Sequence, residues 1–262
     1  MTYSQITLAK ADGLATLTLS QPEKLNAVSR KMIAEIKSAW EDIAADGAVR
    51  AVLLTGAGRG FCAGADLADP DRDTGPNADS GAALDKFFNP VIRTMRSIPK
   101  PIVAAVNGVA AGVGMSFALA SDIAIAAKSA SFLQAFARIG LLPDGGSTWF
   151  LPRLVGEQRA RALAMLAPQI KAEQAKEWGL IWDVVEDADL MKTATDLARR
   201  LAGGPTLSLA RIKEAMNRAH GNDLGQQLDL ERDFQRELGR SEDFKEGVQA
   251  FLAKRPATFK GK

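Results

Sequence analysis

The sequence predicts an α/β fold built on a largely parallel sheet, followed by a helical C-terminal region. Apolar runs typical of buried strands alternate with segments of helical periodicity up to about residue 155, and strands buried on both faces are typical of parallel sheets covered by helices. Beyond residue 155 the strand-like runs shrink to one candidate at 181–185, and helical patterns follow one another. The length of 262 residues fits one core with a small appendage.

The first part of the chain begins with a predicted hairpin. Its elements are strands at 5–8 and 14–19 around a turn at 11–13, then a helix at 29–43 and a buried strand at 49–55. A polar stretch at 68–81 holds turn-forming residues and almost nothing to bury, so we expect a mobile surface loop there. Such loops often flank binding sites.

Strands and helices continue to alternate after this loop. They comprise a helical segment to about residue 97, a strand at 102–106, a helix from about 112 and a strand at 123–127. The C-terminal part predicts helices at 158–166, 171–178, 190–201, 206–219, 224–238 and 242–253. This order of elements predicts a helical appendage at the end of the chain.

The charge balance and the N-terminal pattern exclude several classes of partner. A formal net charge of +2 is too small to indicate a nucleic acid or an anionic membrane. The N-terminal residues alternate apolar and polar side chains, unlike a signal peptide, and no window approaches the roughly 18 apolar residues of a spanning helix. We expect a cytoplasmic protein with no nucleic-acid and no membrane partner.

The chain contains one histidine, His220, and one cysteine, Cys62. This excludes a disulfide within the chain and metal sites built from several imidazoles or thiolates, so we expect no metal. Histidine is the usual general base near neutral pH, but this chain has only one. We therefore expect a carboxylate to perform any acid–base catalysis. His220 lies where a helix is predicted to end, and Cys62 is expected to be a buried small hydrophobe.

Two Gly-rich turns, at 56–67 and 107–116, follow predicted strands. Their glycine spacing does not fit the dinucleotide-binding fingerprint, and no phosphate loop ending in Gly-Lys-Ser/Thr is present. Turns of this kind expose backbone N–H groups, and two of them side by side can direct two donors at one oxygen, as an oxyanion hole does. The alternative is that the glycines only permit tight turns and close packing.

A third feature is Asp144, which lies between the apolar stretch 139–143 and two glycines. A carboxylate in apolar surroundings has a raised pKa, which suits it to moving protons. The alternative is a turn-forming aspartate that caps a helix beginning near Ser147.

Four segments, taken together and in order, resemble the enoyl-CoA hydratase/isomerase (crotonase) superfamily. They are 24–27 (KLNA), 61–67 (FCAGADL), 107–112 (NGVAAG) and 251–259 (FLAKRPATF). The resemblance implies a spiral core of ββα units at 1–198 and a C-terminal helical region at 199–262 that mediates formation of a homotrimer, often paired into a dimer of trimers. The implied substrate is a coenzyme A (CoA) thioester, with no further cofactor.

The resemblance also implies roles for particular residues. It assigns the oxyanion hole to the backbone N–H groups of Ala65 and Val113. It assigns CoA contacts to Lys24, Leu25, Ala27, Ala63, Asp66 and Leu67, and to Phe259 and Lys260, which in this family can reach CoA from an adjacent subunit. Among these, Lys24 is placed to meet phosphate.

This sequence departs from the family's hydratases at two positions. Their two water-activating glutamates correspond to Ser116 and Phe136, which are expected to line an acyl pocket without acting as acid or base. Efficient hydration by the usual mechanism is therefore not expected. Asp144 is the only carboxylate that the resemblance places over the thioester α-carbon.

An aspartate at this position occurs in two branches of the family. In isomerases of 1,2-epoxyphenylacetyl-CoA and of 3-enoyl-CoA it moves a proton, and in 4-chlorobenzoyl-CoA dehalogenases it attacks a ring carbon. The dehalogenases also use a histidine and a tryptophan, where this chain has Asn89 and Phe136. Segments 142–153 and 177–182 look most like the phenylacetate-pathway isomerases. The sequence thus predicts an isomerase that uses Asp144; the alternatives are a hydratase, a dehalogenase-like hydrolase and a non-catalytic acyl-CoA-binding subunit.

Overall fold

The computed structural model describes residues 2–73 and 75–262 and contains a six-stranded and a four-stranded sheet. The strands are β1 (Ile6–Ala11), β2 (Leu14–Leu19), β3 (Ala51–Gly56), β4 (Gly60–Cys62), β5 (Ile102–Val106), β6 (Val109–Ala111), β7 (Ile123–Ala127), β8 (Ser131–Leu133), β9 (Gln169–Lys171) and β10 (Asp183–Val185). The α-helices are α1 (Arg30–Ala45), α2 (Ser80–Ala83), α3 (Asn89–Ser97), α4 (Val113–Ala120), α5 (Ser147–Val155), α6 (Glu157–Leu166), α7 (Ala172–Glu177), α8 (Leu190–Ala202), α9 (Thr206–Ala219), α10 (Leu224–Leu238) and α11 (Glu242–Leu252).

The larger sheet has the order β1-β2-β3-β5-β7-β10. Strands β1 and β2 form the predicted antiparallel hairpin, and Asp12 and Gly13 in its turn both have positive φ. Each later neighbour pairs in parallel. Strands β3 and β5 are buried along their whole length. This explains why their sequences are nearly continuous apolar runs, as is typical of parallel strands covered by helices on both faces.

The smaller sheet, β4-β6-β8-β9, was not predicted from the sequence. Its strands have three residues each, too few to show a hydrophobic period. Strands β4 and β6 pair in parallel directly after the ends of β3 and β5. The first halves of both Gly-rich turns are therefore strands, and the residues that follow β4 and β6 emerge at the same edge.

Helix α4 is enclosed by the rest of the fold. All eight of its residues are buried, and its first turn lies against β4, where a Cβ atom on Gly114 would be 2.2 Å from the Cys62 carbonyl oxygen. Only glycine permits this approach, because real Cβ contacts do not come so close. The helix therefore packs closely against the smaller sheet.

The predicted loop at 68–81 is confirmed as an exposed connection in the residues described there. Thr74 lies outside the described residues. Short turns stabilised by the carboxylates of Asp66, Asp69 and Asp73 occupy much of this stretch, which ends where α2 begins at Ser80.

The helical C-terminal region is also confirmed, with helix ends within a residue or two of the predicted ones. The expected division at 198/199 falls inside α8, which packs on β3 and β5 and so continues the core to Ala202. Helix α10 has no buried residue. No helix in the described part of the chain is long and apolar enough to cross a membrane.

The end of the chain returns to the beginning of β3. The Arg50 side chain donates hydrogen bonds to the carbonyl oxygens of Gly204 and Phe259 and to the hydroxyl of Thr206. Asp243 of α11 accepts the N–H groups of Lys260 and Gly261 at 2.7 and 2.8 Å. The C-terminal tail is therefore held against its own chain.

Candidate active site

A cavity of about 630 Å³ lies where the smaller sheet, α4 and the segment that precedes α5 meet. Its wall brings together Ala65 and Val113, from the two Gly-rich turns, with Phe136 and Asp144. Arg30, Asp69 and Arg72 also contribute to the lining. The three features that the sequence singled out separately thus share one cavity.

The two turns are adjacent because β4 and β6 are neighbouring parallel strands. Gly64 and Gly112 have φ values of +105° and +52°, which residues with a side chain rarely adopt. A Cβ atom on Gly112 would lie 3.7 Å from the Cα atom of Gly64, so the backbones of the turns are nearly in contact. This brings the residues after each glycine to the same end of the cavity.

Both predicted oxyanion donors are unpaired. Val28 forms a parallel bridge with Ala65 by donating to the Gly64 carbonyl at 2.7 Å and accepting from Asp66 N–H at 2.9 Å. Because peptide groups alternate along an extended chain, the Ala65 N–H points away from Val28. Val113 begins α4, and the first N–H groups of a helix have no acceptor within it. Within the described residues, neither N–H has a hydrogen-bond acceptor.

The Asp144 carboxyl is the unusual titratable group of the cavity. Burial raises its pKa to about 6 from an ordinary 3.8. Its Oδ1 atom is buried and has no hydrogen-bond partner among the described residues. A desolvated carboxylate with a free oxygen is suited to accepting a proton near neutral pH.

Asp144 does not cap the helix that follows it. The N-cap residue of α5 is Gly146, and no side chain caps this helix. The backbone of Asp144 forms the turn instead, since its carbonyl oxygen accepts from Ser147 N–H at 3.0 Å. The carboxyl is thereby left to the cavity, which decides against the capping interpretation.

Phe136 and Ser116 have different surroundings. Phe136 lines the cavity, and its ring packs near Gly112. Ser116 is fully buried and lies behind Gly145, outside the cavity lining, whereas the resemblance implied a place in the acyl pocket. Neither position supplies a carboxylate, and the Gly145 backbone fills the space in front of Ser116.

The residues assigned to CoA fall into three groups. Ala63, Asp66 and Leu67 line the cavity. Lys24, Leu25 and Ala27 lie outside the lining but beside it, since Lys24 Nζ is 2.8 Å from Asp66 Oδ2 and the Leu25 carbonyl accepts from Ala63 N–H at 2.9 Å. Phe259 and Lys260 belong to the C-terminal tail and do not line this cavity in the single chain.

Sequence reasoning missed part of the cavity wall. Residues 84–88 form a π-helical turn between α2 and α3, and such turns are frequent at functional sites. This turn contributes Leu84 and Phe88 to the lining, beside Asn89 at the start of α3, which the resemblance had placed at the position of the dehalogenase histidine. No sequence signal marks a single π turn, because its residues keep a nearly helical spacing.

The single histidine and cysteine do not contribute to the cavity. His220 ends α9 and contacts the edge of Trp149. Cys62 is fully buried, and burial raises its thiol pKa to about 12, so it is not a thiolate nucleophile. In residues 2–73 and 75–262 no three His, Cys, Asp or Glu side chains are grouped as a metal site.

The arrangement can therefore stabilise a developing oxyanion beside a proton acceptor. Two unpaired N–H donors and one desolvated carboxyl share a largely apolar cavity, where electrostatic interactions are stronger than in water. This combination suits proton abstraction from a carbon next to a carbonyl group.

Known proteins are similar to this chain in sequence and in fold. The family model described as "Enoyl-CoA hydratase/isomerase" matches residues 9–262. The 1,2-epoxyphenylacetyl-CoA isomerase of Escherichia coli is 53% identical over 251 residues, which cover 95% of this chain and 96% of that protein. A Rhodobacter capsulatus protein named "Probable enoyl-CoA hydratase" is 46% identical over 100% of both chains. The crystal structure of an enoyl-CoA hydratase from Bacillus anthracis matches with a TM-score of 0.93 at 31% identity, covering 99% of this chain and 100% of that one. The fold class predicted from the sequence is confirmed.

Proposed function

The chain belongs to the enoyl-CoA hydratase/isomerase family, and from this we propose that it is an isomerase of CoA thioesters that uses Asp144 as its single acid–base group. The family is enzymatic, and its members named above are isomerases and hydratases. What favours isomerisation here is that one carboxyl group is left for the reaction. Three carboxyl groups line the described cavity, but Asp66 pairs with Lys24 and Asp69 accepts from Arg30 N–H, which leaves Asp144. A reaction that consumes no water can proceed with one group that first accepts and then returns a proton.

The proposed reaction begins at the carbon next to the thioester carbonyl. The Asp144 carboxylate removes a proton from this α-carbon, and the electron pair of the broken C–H bond moves onto the thioester oxygen to give an enolate. The N–H groups of Ala65 and Val113 stabilise the negative oxygen, each contributing roughly 2.7–4 kcal/mol in the transition state. Asp144 then returns the proton elsewhere on the conjugated system, so that no atom is gained or lost.

One observation carries this proposal: the Asp144 carboxyl has a free oxygen in the same cavity as both unpaired N–H groups. Its burial-raised pKa of about 6 lies close to neutral pH, where a base is both ionised and strong enough to accept a proton. Ser116 and Phe136, at the two glutamate positions of the hydratases, supply no second acid. A non-catalytic binding protein has no need of such a carboxyl.

For the acyl group we propose ring-1,2-epoxyphenylacetyl-CoA, converted to oxepin-CoA, and/or a 3-enoyl-CoA, converted to a 2-enoyl-CoA. With the epoxide, the same enolate opens the route to the seven-membered ring. The aromatic and aliphatic wall formed by Phe88, Phe136 and Leu142 supports an apolar acyl group. The 1,2-epoxyphenylacetyl-CoA isomerase named above supports the aryl substrate.

The CoA part of the substrate is proposed to run past Lys24, Leu25 and Ala27, with Ala63, Asp66 and Leu67 at the junction with the cavity. Phe259 and Lys260 of an adjacent subunit complete this binding surface. We propose that the enzyme needs no cofactor besides the CoA of its substrate. We also propose that it is located in the cytoplasm.

The proposed assembly is a homotrimer or a dimer of trimers. Helix α10 buries nothing within its own chain, and exposed apolar side chains continue along α9, α10 and α11. Those more than half exposed are Ile212, Met216, Leu224, Leu228, Phe244, Phe251 and Leu252. A surface of this kind indicates contact with other protein.

The test is the Asp144→Asn variant, assayed on 3-enoyl-CoA and ring-epoxide thioesters. Loss of a general base costs about 10²–10⁴-fold in rate, and we expect a loss of that size in isomerase activity. Asp196→Asn is the matched control, because it removes an exposed carboxylate on α8, outside the cavity lining, and is expected to leave the rate unchanged. Full retention of both activities in Asp144→Asn would overturn the proposal.

Hydration is the second candidate, favoured by the hydratase names of some relatives. A hydratase of this sequence has to activate water with Asp144 alone. Robust hydration of crotonyl-CoA by the purified protein would favour this function, and release of halide from 4-chlorobenzoyl-CoA would favour the dehalogenase-like one. Binding of acyl-CoA with every substrate left unchanged would indicate a non-catalytic subunit.

A further inference from the structure

A buried hydrogen-bond chain lies directly beneath the turn that carries Asp144. Gln134 Nε2 donates to Ser147 Oγ at 2.9 Å, and Ser147 Oγ lies 2.8 Å from Ser116 Oγ. Ser116 Oγ in turn donates to the Asp144 carbonyl oxygen at 3.0 Å. The three polar residues are at most 1% exposed. The proposed reaction uses none of them, so their burial needs another explanation.

The donors and acceptors determine in which direction the protons are donated along this hydrogen-bond chain. A hydroxyl group has one proton to donate. Since the Gln134 amide already donates to Ser147, the Ser147 proton is free for Ser116. The Ser116 proton has two carbonyl acceptors, and that of Asp144 at 3.0 Å is closer than that of Gly112 at 3.3 Å. Each hydroxyl accepts once and donates once. A buried hydroxyl left without a partner costs about 1–3 kcal/mol, so this network favours one position of the Asp144 turn.

Ser116 also connects this turn to the oxyanion hole. It lies three residues after Val113 on α4, and residues three apart share a face of a helix. Its Oγ is 3.3 Å from the carbonyl oxygen of Gly112, the residue before the proposed donor. On its other side a Cβ atom on Gly145 would be 2.7 Å from the Ser116 Cβ. One side chain therefore touches both the turn that carries the donor and the turn that carries the base.

We propose that Ser116 is a positioning residue, which fixes Asp144 relative to the Val113 N–H through the backbone carbonyl of Asp144, with Ser147 and Gln134 orienting its hydroxyl. This inference rests on the proposed function, because it assigns Ser116 to the support of the proposed base. Ser116 thus has a role different from that of a glutamate at the same position in a hydratase: it holds the base and does not touch the substrate.

The experiment compares Ser116→Ala with Ser121→Ala. Ser121 follows the same helix, is 7% exposed, and donates to the Phe117 carbonyl at 3.0 Å. Both variants lose a buried hydroxyl bond to a backbone carbonyl, but only one of these bonds reaches Asp144. We expect kcat to fall at least about tenfold in Ser116→Ala with KM within about twofold, because small misplacements of a catalytic group are costly. Ser121→Ala is expected to retain the wild-type kcat.

Two further variants, one at Ser116 and one at Ser147 of the hydrogen-bond chain, are expected to lower kcat to different extents. Ser116→Cys keeps a weak donor but places a larger sulfur atom in the packed site, so only a small part of the lost kcat is expected to return. Ser147→Ala leaves the Ser116 bond to Asp144 in place and is expected to lower kcat less than Ser116→Ala does. If Ser116→Ala does not fold in urea-refolding controls, Ser116→Cys replaces it in both the kinetic and the titration comparison.

A titration measures the position of the carboxyl independently of turnover. Protein labelled with ¹³C at the aspartate carboxyls is titrated by NMR, and the Asp144 signal is identified by its loss in Asp144→Asn. We expect the Asp144 pKa, raised to about 6 by burial, to fall towards its ordinary value in Ser116→Ala, because a carboxyl released from its support gains water. Ser121→Ala leaves it unchanged.

The outcomes separate the two proposals. Wild-type kcat and wild-type titration in Ser116→Ala would overturn the positioning role, whatever Asp144→Asn does. Full activity in Asp144→Asn together with a shifted titration in Ser116→Ala would overturn the proposed reaction and leave the positioning role supported. Equal losses of kcat in Ser116→Ala and Ser121→Ala would also overturn the positioning role of Ser116, since equal losses are the expected effect of removing any buried hydroxyl.

Discussion

Gly145 lies against Ser116 so closely that a Cβ atom on the glycine would be 2.7 Å from the serine Cβ and 2.9 Å from its Oγ. Gly145 also has a φ of +58°, a left-handed conformation that costs a residue with a side chain about 1–2 kcal/mol. This contact places the Asp144 turn directly on α4.

The first prediction is that Gly145→Ala both destabilises the protein and lowers kcat. Crowding in a packed site costs about 1–3 kcal/mol beyond the backbone strain, and the turn has to move to relieve it. Gly140→Ala is the control, because Gly140 has a φ of +75° but nothing within 4 Å of its Cβ position. Urea unfolding and kcat are measured for both, and equal behaviour of the two variants would contradict the prediction.

The second prediction is that Asp144→Asn stabilises the protein at neutral pH. The folded-state pKa of Asp144 is raised to about 6 from 3.8, so folding favours the protonated carboxyl. Its contribution to the free energy of unfolding is complete below 3.8 and is lost as pH rises through about 6. The amide avoids this loss, and we expect a gain of up to about 3 kcal/mol at neutral pH and none below the unfolded-state pKa.

Urea unfolding of wild type and Asp144→Asn across this pH range measures the difference. A constant difference between the two proteins at every pH would show that ionisation of Asp144 is not its source. A gain in stability combined with a loss of turnover is the usual consequence of removing a catalytic group whose burial destabilises the folded protein.

The third prediction concerns the pH dependence of isomerisation. Only the ionised form of Asp144 can remove a proton, so kcat/KM is expected to rise with pH through about 6 and then level off. Rates on the 3-enoyl and epoxide thioesters are measured against pH at fixed ionic strength. A limb that rises near the ordinary aspartate value of 3.8 would show that the free enzyme lacks the desolvated carboxyl.

The fourth prediction assigns Lys24 to binding only. Its side chain is 52% exposed, and its ammonium group pairs with Asp66, which raises the lysine pKa through a hydrogen bond and charge attraction. Lys24→Met is expected to raise KM for CoA thioesters severalfold at low salt and to leave kcat unchanged, because CoA phosphate lies far from the reacting carbon. Lys37→Met removes a similarly exposed, paired lysine and is expected to change neither constant. A fall in kcat for Lys24→Met would contradict this assignment.

Most of the fold was predictable because its strands and helices are long enough to show a period. The helices at 206–219 and 224–238 agree residue for residue with the structure. The strands of the smaller sheet were missed, since three residues carry no periodic signal. The helix predicted at 171–178 begins only after β9, whose last residue is Lys171.

The candidate site was predictable to the extent that glycines and an isolated carboxylate mark it. Asp144, Ala65 and Val113 share one cavity. The resemblance to the family implied this, whereas the glycine turns and Asp144 considered alone left a purely structural role open. No sequence pattern marked Gln134 as part of the site, because its role depends on a hydrogen bond to Ser147 that forms only in the folded protein. The position of Ser116 behind Gly145 likewise follows only from three-dimensional packing.

The attachment of the C-terminal tail to Arg50 has a consequence for the order of folding. The Arg50 side chain reaches partners 154, 156 and 209 residues away along the chain. Contacts of such high sequence separation require long loops to close and therefore form late. The Arg50 hydrogen bonds to Gly204, Thr206 and Phe259 are thus expected to form only after the sheet and α9 have assembled, which makes them a reporter of completed folding.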